Sequence, residues 1–237
     1  MLLKVEDIHT YYGFSYILQG ISFEVNQGEA VALLGRNGAG KTTTLRSIIG
    51  ATPPKSGKIF FYGTNIAGLA PHNIVRGGIA IIPDTRRIIP NITVNDNLRL
   101  AMLRTTGKKE EKPLLNMAYD YFPRLRDRAN NLGSSLSGGE QQMLAIARGL
   151  VAKPKLMLID EPTEGLMPTL VEMISDRLTE LQQTGLTMLL VETNLEVAFK
   201  VVQRVYVMEK GQIKFSGTKD GLLERPEIQE RYLGISV

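Results

Sequence analysis

The chain has 237 residues and a net charge of +4, with 28 basic and 24 acidic side chains, no cysteine and two histidines. That length gives one large domain or two small ones with a full apolar core. Disulfides and thiolate metal sites are excluded, and His9 and His72 are too isolated to form a ligand cluster, so both read as solvent-facing or capping residues.

The first elements read as short strands, LLKVEDI (2–8) and ILQGISFEV (17–25), followed by a buried strand at 31–34. A helix pattern covers 41–49, and strands follow at GKIFFYG (57–63) and GIAIIP (78–83). From 93 to 152 the pattern turns helical, with a charged segment, TTGKKEEKP, at 105–113. Strands return at KLMLID (155–160), TMLLVE (187–192) and RVYVME (204–209), the last joined by a Lys210-Gly211 turn to QIKFSG (212–217) as a hairpin. Helical segments between these strands indicate a parallel α/β sheet. The expected organisation is an α/β core from 1–83 and 153–237, interrupted by a helical insert at 84–152. No apolar run approaches the ~18 residues of a membrane span. The start, MLLKVEDIHT, has neither the basic head nor the apolar centre of a signal peptide. The mild charge suits a solvated surface or an anionic membrane face.

Three stretches carry chemistry. Gly35, Arg36, Asn37, Gly38, Ala39, Gly40, Lys41, Thr42 and Thr43 form a G-x-x-x-x-G-K-T loop between a strand and a helix. Small residues let successive N–H groups curl around an anion at the helix N-terminus, where the helix dipole adds positive potential. Lys41 would reach the β- and γ-phosphates and the Thr42 hydroxyl would ligate Mg²⁺. The second stretch is LSGGEQQMLAIARG, where Ser137 and Glu140 make a capping box around Gly138 and Gly139. Two glycines in a first helical turn cost roughly 1 kcal/mol each against alanine, which makes sense where an anion approaches the backbone. A second phosphate-ready helix start in one chain suggests that it serves a nucleotide held by a partner. The third stretch is an apolar strand ending in Asp160 and Glu161, a carboxylate pair that is costly without cations or a reaction to serve.

With its phosphate loop, LSGGEQQ and LMLIDEPT in this order, the whole chain resembles the ATP-binding subunits of ABC transporters. The resemblance implies a P-loop NTPase core with an antiparallel β subdomain and a helical insert. It also implies two such domains facing head to tail, so that the loop of one and the signature of the other enclose each ATP. Asp160 would hold Mg²⁺ through water, Glu161 would polarise the attacking water, and Tyr12 would stack on adenine, with plain hairpin packing as the alternative for Tyr12. Partners would be a second ATPase domain, in a homologous subunit or in another copy of this chain, two polytopic permease subunits and, indirectly, a solute-binding protein, with this chain on the cytoplasmic face of the inner (plasma) membrane. In the family a groove between core and insert receives a short helix of the membrane subunit. Here Asp84, Thr85, Arg86, Arg87 and the helix start near Val94 are expected to border it.

The chain also departs from the family pattern. Asp84 stands where many members have glutamine, and is carried as a third metal-contacting candidate. Thr193 takes the place of a catalytic histidine, and Met167 that of an aspartate in the loop after the carboxylates. One reading is a weakened subunit that donates its signature to an active partner, since a missing γ-phosphate contact slows hydrolysis. The other is a subfamily trait. PDTRRIIPNITVNDNL, DEPTEGLMP, VETN and the ending ERYLGISV are similar to the paired ATPases of branched-chain amino acid importers, with urea and short-amide importers sharing much of the pattern. Too few residues separate Thr42 from Ser137 for the long coiled coil of the DNA-repair relatives, so no nucleic-acid partner is expected.

Overall fold

The computed structural model describes residues 1–103 and 108–234. Of the charged segment at 105–113, the first three residues lie outside the described residues, as do the last three of the ERYLGISV ending. The remainder of the charged segment is helical, opening a helix at Lys108.

Six strands form the main sheet: β3 (Ala30–Leu34), β6 (Ile79–Ile82), β7 (Leu156–Asp160), β8 (Thr187–Glu192), β9 (Arg204–Glu209) and β10 (Gln212–Thr218). Their order is β10-β9-β3-β8-β7-β6. All neighbours run parallel except the β9–β10 hairpin. The central strands AVALL, LMLID and TMLLVE are buried at every position. That is why they read as unbroken apolar runs: both faces of the sheet are covered. Along β3 the faces alternate, with Ala30, Ala32 and Leu34 in one apolar cluster and Val31 and Leu33 in the other.

The second sheet is antiparallel, in the order β2-β1-β4-β5. It comprises β1 (Leu3–Tyr12), β2 (Ser15–Val25), β4 (Ser56–Phe61) and β5 (Thr64–Asn65), the last too short to leave a periodic signal. It shares an apolar cluster with α1 (Lys41–Ile48) and one face of the main sheet.

The opposite face carries α3 (Val94–Met102), α4 (Lys108–Tyr121), α5 (Pro123–Asp127) and α6 (Gly138–Val151), together with α7 (Pro168–Gln183) and α8 (Leu195–Val201). The short helix α2 (Pro71–Arg76) precedes β6. Buried Asn97 fixes the approach to α3, accepting from the Ile89 N–H at 3.0 Å and donating to the Ile89 carbonyl at 2.9 Å. Since β3 feeds α1 on one face and β8 feeds α8 on the other, the chain diverges at the carboxyl ends of these two strands. Such a divergence leaves a crevice suited to ligands.

Candidate active site

The phosphate loop fills that crevice. A Cβ on Gly35 would come within 2.4 Å of the Met208 carbonyl oxygen, so only glycine lets the loop leave β3 against β9. Gly38, at φ 80°, faces open space, and Gly40 starts α1 in the left-handed region with no side chain capping the helix. The N–H groups of the first turn therefore have no side-chain acceptor and can donate to an anion. Lys41 is buried, and its Nζ donates to the carbonyls of Gly35 at 2.8 Å and Arg36 at 3.3 Å while pairing with Glu161 Oε1 at 3.3 Å. The Arg36 side chain is directed elsewhere: its Nη2 donates to the Glu230 carbonyl at 3.2 Å, so only its backbone belongs to the cradle.

The carboxylates sit opposite. Asp160, 2% exposed at the end of β7, accepts from Thr42 Oγ1 at 3.1 Å. Burial pushes its pKa up to about 6, with Asp84 and Glu161 adding to the rise and the Thr42 hydrogen bond and Lys41 opposing it. Glu161 adopts φ 44°, a conformation that side chains rarely take and that recurs at functional sites. The negative charge of Glu161 and a hydrogen bond to it raise the pKa of nearby Glu164. Exposed Asp84 closes a cleft of about 210 Å³ lined by Asn37, Gly38, Lys41, Thr42, Thr43 and Glu161. Among the described residues no three histidine or carboxylate groups converge to hold a metal ion unaided.

Tyr12 lies over the first turns of α1. Burial raises the pKa of its hydroxyl, but hydrogen bonds to Thr52, Arg46 and Thr43 outweigh this and lower it. The residue is 41% exposed. Neighbouring Tyr11 is instead stacked on Tyr16, centroids 4.5 Å apart, beneath Lys55. Of the two aromatics, Tyr12 is the one with a face left open.

The signature helix is built differently. Ser137 Oγ accepts from the Glu140 N–H at 3.3 Å, and Glu140 Oε2 accepts from the Ser137 N–H at 2.8 Å. Burial raises the pKa of Glu140, while the hydrogen bonds to Ser137 and the nearby Arg128 guanidinium prevail and lower it. The two glycines have packing reasons beside any anion. A Cβ on Gly139 would meet Leu170 at 2.4 Å, and one on Gly138 would meet Arg86 at 3.1 Å. Neither the glycines nor Ser137 and Glu140 line the phosphate-loop cleft.

The sequence matches the ABC transporter family over residues 18–164. The chain belongs to that family. This ABC ATPase is 40% identical over 98% of its length to the high-affinity branched-chain amino acid transport ATP-binding protein BraG of Pseudomonas aeruginosa, all of which is covered. It is 37% identical to the probable branched-chain amino acid transport ATP-binding protein LivF of Archaeoglobus fulgidus, over 99% of both chains. A solved ATP-binding subunit of an ABC transporter superposes with a TM-score of 0.85 at 31% identity, covering 99% of this chain and 97% of that one. The chain is thus an ATP-binding and ATP-hydrolysing subunit.

In this ABC ATPase, Thr193 and Met167 are both exposed, Met167 as the residue preceding α7. Sequence reasoning missed the residue before Thr193. Glu192 is buried at the end of β8 and accepts from Thr163, Thr193 and Asn194. Its signal was the one that marked Asp160, a carboxylate closing an apolar strand. The groove between core and insert also needs correction. It is lined by Val75, Ala80, Asp84, Arg86, Arg87, Ala101, Arg148 and Ala152 among others, with a volume of about 430 Å³. Val94 is fully buried, so the far end of α3, not its start, borders the groove. No helix among the described residues is long and apolar enough to cross a membrane.

Proposed function

We propose that this ABC ATPase drives import of branched-chain amino acids, paired with a second ATPase subunit beneath two polytopic permease subunits on the cytoplasmic face of the inner membrane. A solute-binding protein would deliver the cargo. The observation that carries this reading is the near end-to-end likeness to BraG and LivF. Cells whose chain carries Lys41→Ala should lose high-affinity accumulation of labelled leucine, isoleucine and valine. Loss confined to urea or short amides would move the assignment to that group, and no loss for any of these solutes would overturn it.

The chemistry supports ATP with Mg²⁺. The Thr42 hydroxyl and the Asp160 carboxylate are hard oxygen donors already 3.1 Å apart. Asp84, Asp160, Glu161 and Glu164 stand around Lys41 and Arg46, an excess of negative charge that a polyphosphate tolerates only with a divalent cation. Bound Mg²⁺ would offset charge on the β- and γ-phosphates. Lys41 would exchange the loop carbonyls for phosphate oxygens, and Glu161, released from it, would orient the attacking water. Tyr12 would take the adenine and Asp84 would contact the metal's water shell. Ser137, Gly138 and Gly139 would close over the partner's nucleotide, with Glu140 holding the cap. Residues 84–152 would act as the helical subdomain, moving against a core of 1–83 and 153–237.

The groove would receive a short helix from a permease subunit. Arg86 is half-buried and donates to Gln142 on the signature helix at 3.3 Å, so reversing it disturbs more than a surface. Exposed Arg87 is the cleaner probe. Arg87→Glu should release the subunit from membranes with ATP affinity unchanged, as read by co-sedimentation and nucleotide binding. Retained attachment and transport would remove this contact. Thr193 and Met167 favour a second reading, a subunit of slow turnover that donates its signature to an active partner. Single-turnover hydrolysis by the chain alone and with its partner separates the two.

A further inference from the structure

β8 reads TMLLVE, and the carboxylate that ends it is only 2% exposed. A buried carboxylate is retained where several donors satisfy it. Thr163 Oγ1 donates to Glu192 Oε1 at 2.6 Å, and the N–H groups of Thr193 and Asn194 donate to Oε2 at 3.0 Å and 3.1 Å. These donors come from the loops that leave two neighbouring strands, β7 and β8. Thr163 follows Glu161 by two residues, and Thr193 and Asn194 open the turn into α8. The two loops are stitched a second time by the Glu161 N–H, which donates to the Val191 carbonyl at 2.9 Å. Glu161 thus takes its left-handed conformation between two fixed points, Asp160 in the sheet and Thr163 on Glu192.

We propose that Glu192 is a positioning residue for hydrolysis. It clamps the loop bearing Glu161 to the turn bearing Thr193, so that the Glu161 backbone is held at the edge of the cleft and both loops respond to nucleotide as one unit. A chain with threonine in the place of the family's histidine gains order in that turn from Glu192 itself. The clamp rests on the reading that Glu161 orients the attacking water, and the test keeps the two claims apart.

Full-length chains carrying Glu192→Gln, Thr163→Val and both changes would be compared in single-turnover MgATP hydrolysis with protein in excess. Each single change should lower the rate about tenfold with nucleotide affinity within about twofold, and the double change should fall close to either single one. Multiplicative losses, or weaker nucleotide binding at an unchanged rate, would overturn the clamp. Amide hydrogen exchange on the nucleotide-free chains provides a readout independent of turnover. Exchange should rise in both 161–167 and 193–197 in Glu192→Gln, with 35–43 unaltered. Unchanged exchange in either of the first two segments overturns the proposal. Wild-type turnover in Glu161→Gln would strike the role of Glu161 alone, leaving the exchange result to decide the clamp.

Discussion

Two helices of this ABC ATPase begin with glycines and phosphate chemistry in view, and they begin in opposite ways. At α1 the N-cap is Gly40, no side chain bonds the first turn, and the neighbouring Gly38 looks onto open space. At α6 Ser137 and Glu140 satisfy each other's backbone groups, and Leu170 and Arg86 pack against the glycines. An uncapped terminus gains most from an anion, because its donors otherwise have only water. A capped one has fewer donors to offer and contributes once a partner brings the nucleotide to it. On the proposed function, the difference would place ATP affinity in the loop of each chain and dimer closure in the signature.

The sharpest way to break this comparison is Lys41→Ala, which should weaken ATP binding by about 10²–10³-fold through loss of a buried charge-assisted contact. Unchanged affinity in a fluorescent-nucleotide titration would remove the loop from its role. Next in size, Glu161→Gln should keep that affinity but slow hydrolysis about 10²-fold, trapping an ATP-bound dimer seen by size-exclusion chromatography. Monomers turning over at the wild-type rate would sink the assignment.

Asp160 sharpens the comparison from the side of stability. Folding raises its pKa from 3.8 to about 6, so the buried anion is a cost. Well below pH 3.8 the group is protonated in both folded and unfolded states and the cost vanishes; it grows as pH rises and is nearly complete above about 6. Asp160→Asn should therefore stabilise the nucleotide-free chain by roughly 1–3 kcal/mol at pH 7 and by much less at about pH 4. Denaturant melts at the two pH values check the sign, and Mg²⁺-dependent turnover should be lost. The smallest effect belongs to Ser137→Ala, which removes one cap and should cost about 1 kcal/mol of stability. ATP affinity of the isolated chain should stay the same, and a drop there would mean that the signature already touches its own chain's nucleotide.

The strands of the main sheet were legible because burial on both faces leaves an apolar run that only loops interrupt. The loop and the Asp160–Glu161 pair were legible because close spacing fixes their geometry within a few residues. What escaped depended on distant packing. Arg36 turns to Glu230, 194 positions away, and nothing local announces that partner. The lip of the groove was placed at the wrong end of α3, because helical spacing identifies an apolar face without saying which turn another element covers. Glu192 closes an apolar strand as Asp160 does, but only the approach of Thr163 from the neighbouring loop shows what it holds.

The strand that delivers the phosphate loop has a further consequence, for how the protein is made. Leu33 of β3 pairs with Val191 on one side and with Tyr206 on the other. Both neighbours emerge from the ribosome long after β3, so the nascent chain carries an apolar strand with two unmatched edges through most of its synthesis. Such edges are sites of misassociation, and non-local parallel pairing is slow to form. A chain cut off before β8 would contain every residue of the phosphate loop and still lack the frame that shapes it. The frame of the ATP site therefore waits for late strands of the sheet to pair with one of the first.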